Sequence, residues 1–287
     1  MLAEEILSSL QILPLESLLI HEQTIPENEQ NLRENMLNLG RLVDPIIVDR
    51  KHRVVLDGNH RRAVLHSLKT EYAVCQVVDY DSPDIRVGGW YLATQTLPLD
   101  RMGKAERVDR AAGQAALDRM DAAFMLVSRK NGKDSFSLLP SSERKLASLI
   151  EDQRRLLGML KTNGGGKNPA HGHAPASGAA AEANGNGHGL HFIEDSRLDY
   201  FLERGFSVIM RRSFTKDEII SQAVAGRPLP PKSTRHMIPN RIIRLNFHLG
   251  NLNESPEAAW NALSENVHKR VRYGSARYYT ESVIVLY

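Results

Sequence analysis

Val54-Val-Leu-Asp-Gly-Asn-His-Arg-Arg-Ala63 is the stretch on which the fold turns. Val54, Val55 and Leu56 have strand character; Asp57 ends the run, Gly58 permits a tight turn, and Asn59 suits a helix start. A strand that passes through a glycine into a helix leaves first-turn N–H groups unpaired and a positive dipole end exposed. Such a terminus suits a phosphate. Gly58 would let backbone and ligand approach closely, and His60 and Arg61 add donors in the first turn. Asp57, at the strand end, is placed to hold a substrate amine, a metal or a proton. The same residues also describe a plain strand-turn-helix with an Asn59 cap and solvated charges, so the stretch alone leaves both readings open.

Working outward, Pro45-Ile-Ile-Val48 and Arg53-Val-Val-Leu56 are short β-branched runs joined by the polar tip Asp49-Arg-Lys-His52, which predicts a hairpin. Upstream, Leu13 to Ile20 reads as a strand. A polar turn around Pro26 and a helix with Leu32, Met36 and Leu39 on one face follow, ended by Gly40. Downstream, Val64, Leu65 and Leu68 point inward from the helix opened by Asn59, and Tyr72 to Val78 is a further strand. The expectation is an α/β domain over residues 1–98, nucleotide-binding at the glycine turn.

Residues 99–162 have a more helical, charged texture, with Leu146, Leu149, Ile150, Leu157 and Leu160 at helical spacing, so Ser142 to Leu160 predicts an amphipathic helix. Residues 163–189 are rich in Gly, Ala, Asn, Pro and His with almost no large apolar side chain, the composition of a disordered linker. A C-terminal α/β portion over 190–287 is expected to complete the site. In it, Thr215-Lys-Asp-Glu218 is a capping box, Arg241 to Leu249 alternates like a strand, Ser255-Pro256 opens a helix through Trp260, Leu263 and Val267, and Ser282 to Tyr287 reads as a closing strand.

Composition narrows the function classes. The chain has 287 residues, 41% hydrophobic and 25% charged, and a net charge of +3, too little by itself to imply nucleic-acid binding. No signal peptide is readable at Met1-Leu-Ala-Glu-Glu-Ile-Leu, and no apolar run approaches the roughly 20 residues that span a bilayer. The single cysteine, Cys75, excludes an intramolecular disulfide and any multi-cysteine metal site. A cytoplasmic protein with no membrane partner is expected. Two sequence decoys drop out. Gly164-Gly-Gly-Lys167 lacks the leading glycine of a P-loop, since position 161 is Lys161, and Gly185-Asn-Gly-His-Gly189 has no strand before it. The linker histidines His171, His173 and His188 have no cysteine or carboxylate cluster near them in sequence.

Leu-Asp-Gly-Asn-His-Arg (Leu56 to Arg61), preceded by Pro45-Ile-Ile-Val48 and an upstream helix, resembles the signature box of the ParB/sulfiredoxin superfamily. Sulfiredoxins carry a cysteine where this chain has Asn59, and ParB proteins have an arginine-rich box followed by a helix-turn-helix pair, neither of which is readable here. The free serine kinases of cysteine biosynthesis and siderophore pathways match better. His21-Glu22 follows the first strand, Gly88-Gly-Trp90 falls where those kinases place a pocket tryptophan, and Leu229-Pro-Pro-Lys-Ser-Thr-Arg-His236, with Ile238-Pro239 and Arg241, is similar to their second signature.

That resemblance implies a ParB/sulfiredoxin-like α/β (α+β) fold with a second mixed portion and an active site in the cleft between them. It implies transfer of a phosphoryl group from ATP or ADP, with Mg²⁺, to the hydroxyl of free L-serine. Glu22 would be the general base, and Asp57 would orient the substrate or assist the base. Gly58, Asn59, His60, Arg61, Lys232, Ser233, Thr234, Arg235 and His236 would bind the nucleotide phosphates, and Trp90 would wall the serine pocket. Metal ligands are not readable. Taken singly, Glu22 is a solvated turn carboxylate, Lys232 to His236 an exposed basic loop and Trp90 a core residue; their joint occurrence in one order is what gives them weight. The alternative is a ParB-like regulator binding CTP and nucleic acid, with Lys269-Arg-Val-Arg272 as a basic stripe.

Overall fold

The computed structural model describes residues 2–97, 105–163 and 189–279. The expected closing strand Ser282 to Tyr287, and the expected linker apart from its end residues, lie outside them.

The first part of the chain runs α1 (Leu2–Ser8), β1 (Leu10–Pro14), β2 (Leu19–Ile20), α2 (Pro26–Leu39), β3 (Arg41–Leu42), β4 (Ile46–Asp49), β5 (Val54–Asp57), α3 (Asn59–Ser67) and β6 (Tyr72–Val78). Five of these strands form a mixed sheet in the order β1-β6-β4-β5-β2. The expected hairpin is β4 and β5, paired antiparallel, while β2 lies parallel to β5, so the residues after β2 and after β5 emerge at the same sheet end. That arrangement sets Glu22 beside the Asp57–Gly58 turn. The strand expected over Leu13 to Ile20 is interrupted: after Pro14 the chain makes a 3₁₀ turn at Leu15–Ser17 before β2. Gly40 ends α2 in the left-handed region (φ 63°), as expected, but Leu39 is exposed and Met36 carries the buried contact.

The middle segment carries strands that the expectation of a helix-rich insertion did not include. After β7 (Arg86–Gly88) and β8 (Tyr91–Thr94) come β9 (Glu106–Val108), α4 (Arg110–Asp118), the long hairpin β10 (Ala122–Lys130) and β11 (Lys133–Pro140), and α5 (Leu146–Asn163). With β12 (His191–Ile193) and β13 (Ser207–Met210), which flank α6 (Leu198–Glu203), the strands make a six-stranded antiparallel sheet in the order β12-β8-β13-β10-β11-β9. Helix α5 starts at Leu146, four residues later than expected, and buries Leu149, Leu156, Leu157 and Leu160 against Leu92, Phe124 and Ile209.

The remaining elements are α7 (Lys216–Val224), β14 (Arg235–Met237), β15 (Phe247–His248) and α8 (Pro256–Arg272). The strand expected from Arg241 to Leu249 shrinks to β15, because Asn240, Arg244 and Asn246 adopt positive φ and break the extended backbone. Lys269, Arg270 and Arg272 form the last turn of α8, where cations complement the helix dipole. Phe247, Leu252, Leu263 and Val267 are buried with Leu10, Ile46 and Val74 in the core of the first sheet. The 190–287 portion is therefore divided. Its start builds the second sheet and its end returns to the first, because an amphipathic α8 finds its apolar partner on α1 and β1.

Two links hold the halves together. β7 pairs antiparallel with β14, and Ile219, Leu229 and Phe214 are buried with Ile150 between α5 and α7. Cys75 is fully buried in β6, and burial pushes its thiol well above the ordinary range, as expected of a packing residue. Among the described residues no helix is long and apolar enough to cross a membrane.

Candidate functional site

The two signature stretches meet at a seam between the sheets. Backbone hydrogen bonds stitch them: the Leu229 N–H donates to the His21 carbonyl (2.8 Å) and the Gln23 N–H to the Leu229 carbonyl (2.9 Å). Pro230 and Pro231, whose rings fix φ, lead into a turn at Pro231 and Lys232, where Lys232 takes the left-handed conformation (φ 59°). That kink turns consecutive N–H groups toward one point, forming an anion-binding nest. The Lys232 N–H donates to Glu22 Oε1 (2.6 Å), and the Ser233 and Thr234 N–H groups to Oε2 (3.1 Å each). The Thr234 hydroxyl reaches the same oxygen at 3.0 Å.

Behind Glu22 lies a buried polar chain. His21 Nδ1 contacts the Val55 carbonyl, which requires a proton on Nδ1 and leaves Nε2 as the acceptor facing the Thr234 hydroxyl (2.8 Å). Burial holds the His21 pKa below its ordinary value, against the pull of Glu22. The Thr234 hydroxyl thus has one proton and two acceptors within reach.

Gly58, not Asn59, occupies the cap position of α3, at φ 103° where a side chain is strained; an added Cβ would lie 2.9 Å from Arg61 Nε. Asn59 is the first helical residue. Its amide lies 3.2 Å from His21 Nδ1, and its buried Oδ1 has no hydrogen-bond partner among the described residues. The Ile25 N–H donates to His60 Nε2 (3.0 Å), so the proton of the neutral ring sits on Nδ1. Burial and then Lys232 lower the pKa of His60. Arg61 is not free: its guanidinium bonds Asp57 (2.9 Å) and sits 3.4 Å from Asp44. Asp57 also binds Arg241, and although burial works against ionisation, the two guanidiniums hold its carboxyl at about 2.

Trp90, between β7 and β8, donates its indole N–H to the Thr234 carbonyl (3.1 Å), while Lys232 Nζ and Arg235 lie 5.4 and 5.8 Å from its ring centre. Arg235 also pairs with Glu194 at 2.8 Å. Two side chains do not face the cleft as expected. Ser233 is 1% exposed and its hydroxyl donates to the Pro230 carbonyl, locking the loop; His236 is buried against the Tyr80 hydroxyl (2.7 Å), with burial driving its pKa well down.

Arg211 was not expected here. It directly follows β13, is 3% exposed, and donates from Nε to the Trp90 carbonyl (2.9 Å) and from Nη2 to the Lys232 carbonyl, while Nη1 has no partner among the described residues. Burial lowers its pKa to about 10, opposed by Glu22. The signal in the sequence was a charged pair, Arg211-Arg212, directly after an apolar strand.

Two cavities adjoin these elements. The larger, about 460 Å³, lies at the β4–β5 hairpin tip between Lys51, His52, Tyr80 and Lys216, away from the seam, with Lys51 bound to Asp81 and Lys216 to the Ser82 carbonyl. The smaller, about 210 Å³, opens beside Ile25 and Pro231 at the seam itself.

No family model matches the chain. It is 24% identical over 229 residues to the ADP-dependent L-serine kinase SerK of Thermococcus kodakarensis, covering 76% of this chain and 83% of that protein. It is 22% identical over 237 residues to an ATP-dependent L-serine kinase of Staphylothermus marinus, covering 79% and 85%. Among solved structures it superposes on a free serine kinase in complex with AMP with a TM-score of 0.63 at 20% identity, over 85% of this chain and 93% of that one. On SbnI with a C-terminal truncation from Staphylococcus aureus the TM-score is 0.66 at 13% identity, over 92% and 98%. The chain thus has the mixed α/β fold shared by these proteins.

Proposed function

We propose that this chain is a cytoplasmic, nucleotide-dependent L-serine kinase that transfers a phosphoryl group from ATP or ADP to the serine hydroxyl and releases O-phospho-L-serine. The observation that carries the reading is the convergence of Glu22, the Lys232–Thr234 nest and the start of α3 on one seam. Both curated relatives bear kinase names, which favours this over the DNA-binding regulator.

Phosphoryl transfer needs positioning and charge neutralisation more than covalent work by the protein. The free N–H groups at the start of α3, the His60 Nδ1–H and the Lys232 ammonium supply donors for phosphate oxygens. Arg61 acts through its field, since its guanidinium is held by Asp57 and Asp44. Glu22 Oε2 accepts two backbone N–H bonds and shares the Thr234 hydroxyl proton with His21, but Oε1 accepts only one hydrogen bond from the described residues and keeps a lone pair. As the serine oxygen bonds to the terminal phosphorus, its proton passes to that lone pair and the bond to the nucleotide's leaving oxygen breaks.

Asp57, ion-paired twice through Oδ2, shapes the electrostatics of the turn, and its Oδ1 would accept from a substrate ammonium. Trp90 and Arg235 wall the serine side. The carboxylates at the seam already accept hydrogen bonds, and among the described residues no three metal-ligating side chains cluster. Mg²⁺ would therefore be held mainly by phosphate oxygens and water, as this ion commonly is, and would neutralise phosphate charge.

The test is incubation of the protein with serine, Mg²⁺ and each of ATP, ADP and CTP, with mass detection of phosphoserine. Turnover with ATP or ADP is expected; none with either would overturn the reading. Glu22→Gln is expected to lower kcat by about 10²–10⁴-fold while nucleotide affinity is retained.

A further inference from the structure

Among the described residues four donors reach Glu22, and one of them is free to leave. The Lys232, Ser233 and Thr234 N–H groups are fixed by the nest, whereas the Thr234 hydroxyl can rotate. A hydrogen bond into a carboxylate favours its ionised form, so each donor holds back the proton that a general base must take. A donor that can turn away removes part of that resistance, provided its own proton finds another acceptor.

His21 offers that acceptor. Its Nε2 lies 2.8 Å from Thr234 Oγ1, the same atom that is 3.0 Å from Glu22 Oε2. With the ring's proton on Nδ1, facing the Val55 carbonyl, Nε2 is open to a donor. The ring is 2% exposed, and burial favours its neutral form against the pull of Glu22. A charged ring would carry a proton on Nε2 and force the hydroxyl back onto Glu22.

The ring is braced from another part of the chain. His236, in β14, packs edge-on against it, with centroids 5.2 Å apart and planes at 89°. His236 Nε2 takes the Tyr80 hydroxyl at 2.7 Å, and both side chains are buried. Tyr80 follows β6 and lines the larger cavity, so the brace starts away from the seam and ends at the ring behind Glu22.

The geometry points to His21 as a positioning residue for the general base: as Glu22 takes the serine proton, the Thr234 hydroxyl turns from Glu22 Oε2 to His21 Nε2, and His236 and Tyr80 hold the ring where it can accept. No proton leaves Thr234. One hydrogen bond is exchanged for another while the serine proton moves to Glu22 Oε1. The inference rests on the kinase reading above and deepens it at the base.

The experiment measures the single-turnover rate of phosphoserine formation by the full chain, with Mg²⁺ and whichever of ATP or ADP supports turnover. His21→Leu is expected to lower the rate about tenfold at unchanged nucleotide affinity. His21→Gln, whose side-chain carbonyl can accept from Thr234, should recover most of it. In a chain that already carries Thr234→Val, His21→Leu is expected to have no further effect, because the ring acts through that hydroxyl. Tyr80→Phe, which removes only the hydroxyl on His236, is expected to lower the rate about threefold, again only while Thr234 is present. Losses that multiply in the double variant overturn the proposal, as does a His21→Gln variant no faster than His21→Leu. Nitrogen NMR of the histidine-labelled native chain near neutral pH tests the ring without relying on any variant's activity. His21 is expected as the neutral Nδ1–H form, and a proton on Nε2 overturns the proposal. A native chain without turnover overturns the kinase reading and this role together, whereas turnover with multiplying losses overturns the role alone.

Discussion

Asp57 shows how a single side chain couples the site to the stability of the fold. Its carboxyl is held at about 2, from an ordinary 3.8, by Arg61 and Arg241 against the effect of burial. A depressed carboxyl contributes stability above its unfolded value, and that contribution is lost as pH falls through the folded one. Asp57→Asn is therefore expected to flatten the decline in stability between about pH 4 and pH 2, read from urea midpoints across that range. An unchanged slope would show that the ion triad is not felt by the folded state. At this scale the sequence named Glu22, Asp57, Gly58 and Lys232 from motif order, whereas the partners of each side chain were invisible. His21, Thr234 and Arg211 are tied to the seam by contacts from residues far away in the chain, and no local pattern encodes those. The inward turn of His236 was equally hidden, since a histidine in a basic loop gives no sign of a tyrosine more than a hundred residues upstream.

Helix α7 was fully legible as an element. Thr215 and Glu218 form the expected capping box, with the Glu218 N–H donating to Thr215 Oγ1 (3.2 Å) and the Thr215 N–H to Glu218 Oε2 (2.9 Å). Gly226 follows at φ 65°. Thr215→Ala is expected to cost about 0.5–2 kcal/mol of stability in denaturant titrations. Serine and nucleotide kinetics should not change, because the cap lies outside the seam. The expected strand after Arg241 failed for a physical reason. Arg241 to Leu249 alternates in hydrophobicity, yet the alternation serves a loop whose Leu245 and Phe247 reach the first core while Arg244 and Asn246, at positive φ, bend the chain beside them. Alternation reports which side chains are buried and not that the backbone is extended.

In the whole molecule, the chain crosses from the first sheet to the second through β7 and β8 and comes back through β14, β15 and α8. The seam is thus bounded by segments from both ends of the sequence. Leu263, fully buried in α8, belongs to the core beneath β1 and β6. Leu263→Ala is expected to destabilise the protein by about 2–5 kcal/mol. Hydrogen exchange should rise in β1, β4 and β6. A rise confined to the second sheet would contradict the packing described here.

From its residues alone the chain established the hairpin, the strand-glycine-helix turn, the helices α7 and α8 and the two signature stretches, because those depend on neighbours a few positions apart. The six-stranded sheet, the return of α8 to the first core and the nest around Glu22 were decided only by tertiary packing. Each depends on which apolar faces find one another across long separations, and a loop's three N–H groups acquire a function only when a carboxylate from elsewhere is brought to them.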